Sequence, residues 1–173
     1  SIALFGGTSL PGAYQSLGFA SIADAIYTGT NALLRTATGL ELVKTLGFRG
    51  GYTHNWSPYW ATAIYGAFGE LQYGDNAKVT ICANLRAGAL LTGNCDPNFS
   101  VAVVGGNVIW TPVKNFAFTV DVNWTHLDQK YDGTATLGAG SGILLSLLAK
   151  PAGVYQLKNE DSVTALFRAQ RLF

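Results

Sequence analysis

Apolar and polar residues alternate with a period of two along much of this chain. In residues 116–125, Phe116, Phe118, Val120, Val122 and Trp124 fall on one side, and Ala117, Thr119, Asp121, Asn123 and Thr125 on the other. Successive side chains of a strand point to opposite faces, so this spacing predicts a β-strand with one aromatic, apolar face and one small or polar face. Residues 40–53 repeat it: Leu40, Leu42, Leu46, Phe48 and Tyr52 oppose Glu41, Thr45, Arg49 and Thr53, with Lys44 interrupting the apolar side. Residues 162–173 do so again, with Val163, Ala165, Phe167, Ala169 and Phe173 against Ser162, Thr164, Arg168 and Gln170. Arg171 breaks that pattern near its end, and the segment reads as the final strand. Residues 59–73 and 99–110 are aromatic and β-branched strands whose facing is left open by Ile64, Phe68, Val101 and Val103. Residues 17–27 carry a fainter strand pattern, and Ser1-Ile-Ala-Leu-Phe5 starts inside a strand.

Such alternation serves a soluble sandwich, where the apolar face meets a core, or a membrane wall, where it meets lipid. The connections separate the two. Asn55-Trp-Ser-Pro58 and Thr111-Pro-Val-Lys-Asn115 are tight, with Pro or Asn supplying turn geometry, whereas 28–39, 74–98 and 129–161 are long. A short–long rhythm of this kind belongs to transmembrane barrels, whose turns are short on one side and whose loops are long on the other. Ring-bearing residues sort into two levels in keeping with it. Tyr52, Trp56, Tyr59, Trp60, Trp110, Phe116 and Phe173 fall near the short-turn ends; Tyr27, Tyr73, Trp124 and Tyr131 fall near the other. From Phe116 to Trp124 a tilted strand rises roughly 20 Å along the membrane normal, close to the apolar band of such a barrel. The expected fold is all-β: a transmembrane, antiparallel up-and-down β-barrel. Residues 1–173 form a single barrel region with about six recognisable strands.

Composition agrees. Charged residues make up 12% of the chain, against about 25% in ordinary globular proteins. The longest apolar run, 143–149, is far below the roughly 20 residues of a spanning helix. Net charge is +1 with both signs scattered, so the basic stripe of a nucleic-acid binder is missing. Cys82 and Cys95 close a loop in an oxidising compartment and stay free thiols in a cytosolic one. Their spacing, with no neighbouring His, falls short of a zinc pattern, so a loop disulfide is the preferred reading and no metal is expected. Gly138-Ala-Gly-Ser-Gly142 fits neither a phosphate loop nor a nucleophile elbow and reads as a loop. The apolar cluster of 143–148 reads as loop packing.

The chemistry that remains is fixed charge on the polar faces. Glu41, Arg49, Asp121 and Arg168, with Glu70 less firmly phased, are the candidate pore-lining residues; fixed charges on a pore wall bias which ions enter. The plainer reading of each is a solvated residue paired across strands. His54 and His126 read as interfacial residues. No catalytic constellation, enzyme activity or cofactor is expected.

Six stretches resemble one family: Ala3-Leu-Phe-Gly-Gly-Thr-Ser-Leu-Pro-Gly-Ala-Tyr-Gln15, Leu46-Gly-Phe-Arg-Gly-Gly-Tyr-Thr-His-Asn-Trp56, Cys95-Asp-Pro-Asn-Phe99, Trp110-Thr-Pro-Val-Lys-Asn115, Thr125-His-Leu-Asp-Gln129 and Phe167-Arg-Ala-Gln-Arg171. They are similar to the outer-membrane porins of alphaproteobacteria, of the Rhizobiales type. The resemblance implies a homotrimer of sixteen-stranded barrels in the outer membrane of a Gram-negative bacterium, of which this chain corresponds to the C-terminal portion. It implies a water-filled pore for passive diffusion of small hydrophilic solutes and ions, contact with the lipid bilayer and lipopolysaccharide, and a terminal Phe173 read by the assembly machinery. The alternative is a small complete barrel of about eight strands that stabilises or anchors the envelope. A soluble β-sandwich binding module is the third reading.

Overall fold

The computed structural model describes residues 2–6, 16–28, 39–87, 91–137 and 153–171. Phe173, the glycine-rich segment 138–142 and the apolar cluster 143–148 lie outside them. Five long strands dominate: β5 (Lys44–Ser57), β6 (Trp60–Gln72), β8 (Phe99–Val113), β9 (Phe116–Gln129) and β12 (Glu160–Arg171). They form one sheet in the order β12-β9-β8-β6-β5. Among the described residues the fold is all-β apart from one helix, α1 (Asp75–Ala87). Among the described residues the chain divides into two compact units, one drawn from residues 47–69, 101–126 and 161–173, the other from 1–46, 70–100 and 127–160.

The first of these units contains most of the long strands. Their sequences are rich in β-branched and aromatic residues, which suit a pleated surface. The hairpin between β5 and β6 turns at Pro58 and Tyr59; the Ser57 hydroxyl accepts hydrogen bonds from the Tyr59 and Trp60 N–H groups at 3.2 Å each. The hairpin between β8 and β9 turns at Lys114 and Asn115. Asn115 takes a φ of 65°, a left-handed conformation that Asn tolerates better than most residues. The turn at Lys114 and Asn115 falls inside the tight connection expected from sequence, and the turn at Pro58 and Tyr59 overlaps the other at Pro58 alone; strands β5 and β8 run through Asn55 to Ser57 and Thr111 to Val113, which the sequence assigns to turns.

The second unit has a five-stranded sheet of its own, in the order β1-β2-β11-β10-β7, formed by β1 (Ile2–Gly6), β2 (Ser16–Ser21), β7 (Leu91–Thr92), β10 (Gly133–Leu137) and β11 (Gly153–Leu157). Its pairs are antiparallel except β11 with β2, which run parallel through Gln156 with Ser16 and Leu157 with Leu17. Leu17, Leu91, Tyr131, Ala135, Tyr155 and Leu157 make the core, with Leu85 and Cys95 packed against it. A separate two-stranded sheet pairs β3 (Ala25–Tyr27) with β4 (Leu40–Leu42). The strand expected over 40–53 is thus divided at Val43, whose N–H bonds to the Asp24 carbonyl at 3.1 Å.

Two segments expected to be plain loops carry structure. Residues 74–98 hold α1 and β7, and 129–161 hold β10 and β11. In α1 the pattern is visible once sought: Ala77, Ile81, Cys82 and Leu85 recur at helical spacing, and Ala77 and Cys82 are buried. The helix start is held from outside itself, because the Glu41 carboxylate accepts the Ala77 N–H at 2.7 Å and so satisfies one of the orphan donors of the first turn. At its other end Arg86 donates to the Gly93 carbonyl at 3.3 Å. Cys82 and Cys95 form a disulfide. It closes a separation of 13 residues, which in the chain-entropy model restricts the unfolded state by about 3 kcal/mol.

Buried phenols make this unit sensitive to alkali. Burial pushes the Tyr131 phenol well above its ordinary value of about 10, with the nearby Tyr73 and Asp96 adding to the shift, and burial raises Tyr73 as well. Below that value both folded and unfolded chains hold neutral phenols, and the stability is intact. Above it the unfolded chain ionises while the folded one resists, so stability is lost as pH rises. In an alkaline titration followed by tyrosinate absorbance, two phenols are expected to ionise only as circular dichroism reports unfolding. Smooth titration of all the phenols with structure retained would contradict this.

Candidate functional site

The long-stranded sheet has two unlike faces, and the site is built from both. On one face the rings meet across strands. Trp60 of β6 stacks on Trp110 of β8 at 5.8 Å, Trp110 on Phe118 of β9 at 5.6 Å, and Phe118 on Phe167 of β12 at 5.9 Å. Phe116 meets Phe118 edge-on at 4.7 Å. Further along the strands, Phe48 of β5 stacks on Phe68 of β6 at 5.6 Å, and Trp124 stacks on His126 at 5.6 Å. These rings stand in water-accessible positions: Trp60 is 47% exposed, Phe48 71% and Phe167 65%. Ile64, Val104, Val108, Val120, Val122 and Val163 between them are exposed too. A contiguous apolar surface of this extent marks a face that meets hydrocarbon or another apolar partner.

Strand β5 carries a ladder of its own on that face. The Tyr52 hydroxyl lies 3.2 Å from His54 Nδ1, His54 packs edge-on against Trp56 at 4.3 Å, and Trp56 Nε1 donates to the Thr62 hydroxyl of β6 at 2.9 Å. Each ring thus keeps a polar tip occupied while its body stays on the apolar face, as rings at a membrane boundary do. At the far end of β9, His126 Nδ1 lies 2.8 Å from an Asp161 carboxylate oxygen of β12.

The opposite face is polar and mostly small. Tyr65 of β6 reaches over Gly105 of β8 to donate its hydroxyl to Asp121 Oδ1 of β9 at 2.7 Å. Only glycine allows this path: a Cβ at Gly105 would lie 2.6 Å from the Tyr65 ring and 2.8 Å from the Asn123 Cβ. Asn107 of β8 donates to Asp121 Oδ2 and Asn123 of β9 to Asp121 Oδ1, both at 3.4 Å. A shallow hollow lies on the other flank of Tyr65, lined by Arg49, Gly51, Ala67 and neighbouring glycine backbone.

The five charges singled out from sequence do not gather in one place. Asp121 sits at the centre of the polar knot just described. Arg49 stands exposed on β5 beside the hollow. Arg168 lies on the side of β12 away from Phe167, exposed and bonded through its guanidinium to Gln170. Glu41 belongs to β4, where its carboxylate is spent on the start of α1. Glu70 accepts a hydrogen bond from Gln72 at 2.7 Å, and the alternation of β6 puts it on the side of Ile64 and Phe68, not that of Tyr65. Of the ring set, Tyr52, Trp56, Trp110, Phe116 and Trp124 lie on the ring-bearing face, and Tyr59 lies in the β5–β6 turn. Tyr65 and Asn107 are not singled out by the sequence, and Asn123 is placed there on the polar side of its strand without being a candidate site residue. Of the three strands that carry them, β9 alone has alternation clear enough to assign a face.

Among the described residues no group of His, Cys, Asp or Glu could hold a metal ion, and no helix is long and apolar enough to cross a membrane. A family model described as "Porin subfamily" matches residues 11–166. No curated protein and no solved structure matches the chain.

Proposed function

The chain belongs to the porin family, and from that premise we propose that it forms wall of an outer-membrane channel through which small hydrophilic solutes and ions diffuse passively. The observation that carries this reading is the two-faced sheet. Stacked, exposed rings on one side suit hydrocarbon, and the Tyr65–Asp121–Asn107–Asn123 knot with Arg49 on the other suits water. Asp121, Arg49 and Arg168 are then the charges that line the lumen. Tyr52, Trp56, Tyr59, Trp110, Phe116 and Trp124 form the ring girdles at the two boundaries.

On this reading residues 1–173 are a single barrel region. The turns at Pro58 and Lys114 face the periplasm, and the connections 28–39, 74–98 and 129–161 face outward. Among the described residues the long-stranded sheet has five strands with β5 and β12 at its ends, and a lumen that holds water needs more strands than that around it. The likeness to alphaproteobacterial porins extends the proposal to a sixteen-stranded barrel, a homotrimer, and contact with bilayer lipid and lipopolysaccharide. Transport of this kind needs no enzyme chemistry and no cofactor.

The test is conductance. Full-length protein, folded in detergent and added to a planar bilayer, is expected to produce stepwise, ohmic increases in current. Folded protein that yields no steps would sink the proposal.

A further inference from the structure

Asp121 is restrained to an unusual degree for a charged residue on the polar face of a sheet. Three donors from three strands converge on it: the Tyr65 hydroxyl of β6, the Asn107 amide of β8 and the Asn123 amide of its own strand. The Tyr65 bond is the short one, at 2.7 Å against 3.4 Å for each amide. A hydroxyl bonded to a carboxylate is the stronger kind of hydrogen bond, and it draws charge density away from the solvent side. The ring that delivers it crosses the whole of β8, flush with the backbone because Gly105 has no side chain. Asn107 points its amide nitrogen at the carboxylate and leaves its own Oδ1 buried with no hydrogen-bond partner among the described residues. That orientation has a desolvation cost, and it makes sense only if meeting Asp121 outweighs it.

A carboxylate on a pore wall attracts cations in proportion to how far its charge stands into the water. Held down by a phenol, Asp121 presents less of that charge than a free side chain would. We infer that Tyr65 is a positioning residue: lying across Gly105, it holds Asp121 against the wall and so limits the cation preference of the channel. The inference rests on the channel reading and adds to it a residue that sets selectivity without touching the solute.

The experiment is the reversal potential in a potassium chloride gradient, measured on full-length protein in planar bilayers. Four proteins are compared: the parent, Tyr65→Phe, Asp121→Asn and the double variant. Phenylalanine keeps the ring over Gly105, and folding is checked by circular dichroism in detergent. Tyr65→Phe is expected to raise the cation-to-anion permeability ratio about twofold, and Asp121→Asn to lower it. In the Asp121→Asn background, Tyr65→Phe is expected to leave the ratio unchanged, because the group it restrains has lost its charge. Asn107→Ala, which loosens the same carboxylate from another strand, is expected to shift the ratio in the direction of Tyr65→Phe. No shift with either loosening variant, or an equal shift with and without the Asp121 charge, would overturn the role given to Tyr65. A parent protein without conductance steps overturns the channel reading itself and is told apart by that.

Discussion

Val120→Arg is expected to destabilise the folded protein in lipid vesicles by about 2–4 kcal/mol, the range for a basic residue at the midplane of a transmembrane barrel. Val120 stands midway between Phe116 and Trp124 on the ring-bearing face of β9 and is exposed. In water an exposed Val→Arg change costs little. Facing hydrocarbon, the guanidinium must either shed its hydration or drag water and headgroups inward. The neighbouring Thr119→Arg supplies the control, since alternation puts Thr119 on the polar face, where the same charge stays wet. Urea unfolding of vesicle-inserted protein should therefore separate two adjacent positions by most of the full penalty. Equal stability of the two variants would mean that the ring-bearing face does not meet lipid.

Gly133→Ala is expected to cost about 3 kcal/mol in the unit that contains β7 and β10, for two reasons that add. Gly133 holds a φ of +110°, a conformation L side chains rarely adopt and which alone costs about 1–3 kcal/mol. A Cβ there would also lie 1.9 Å from the Thr92 carbonyl oxygen, so one strand backbone would have to withdraw. The pairing at risk is Thr134 with Thr92 and Ala135 with Leu91, where the two threonine hydroxyls meet at 2.6 Å. Leu91 and Ala135 are both core residues, so the loss reaches the hydrophobic cluster. Thermal unfolding should show the drop, and hydrogen exchange should find it first at the amides of 91–92 and 134–135. Unchanged protection there would mean the chain has a relaxed way around the clash.

How far the sequence disclosed this arrangement depended on contrast between the two sides of each strand. In β9, five apolar residues oppose small and polar ones, so period two fixed both the strand and its facing. In β6 the polar side is mostly Ala61, Ala63 and Ala67, and in β8 valines stand on both sides, so alternation could not assign a face. The assignment comes from contacts distant in sequence: Trp60 on Trp110, and Tyr65 with Asp121 across 56 residues. Glu41 shows the same limit. Its parity with Arg49 in one continuous apolar–polar pattern suggested one wall. The break at Val43 and a bond to Ala77, 36 residues on, give it another task. Helix α1 was legible in principle, since Ala77, Ile81, Cys82 and Leu85 carry its period. Its short apolar stripe was outweighed by the Gly, Asn and Asp around it. The disulfide was easier, because two cysteines without histidine neighbours leave few other uses.

The parallel pairing of β2 with β11 bears on the order in which the molecule can assemble. Ser16 and Leu17 meet Gln156 and Leu157, and Gln129 binds the carbonyls of both Lys158 and Leu17, the latter 112 residues away in the chain. Contacts that close such long stretches are entropically unfavourable until late, whereas the hairpins at Pro58 and Asn115 close over a few residues. On loop-closure entropy the hairpins are expected to form before the sheet centred on Leu17 and Leu157. Until β11 arrives, the edges of β2 and β10 that pair with it stay open, a state prone to aggregation in water. On the channel reading, a chain in that state is expected to need protection from aggregation before it meets lipid.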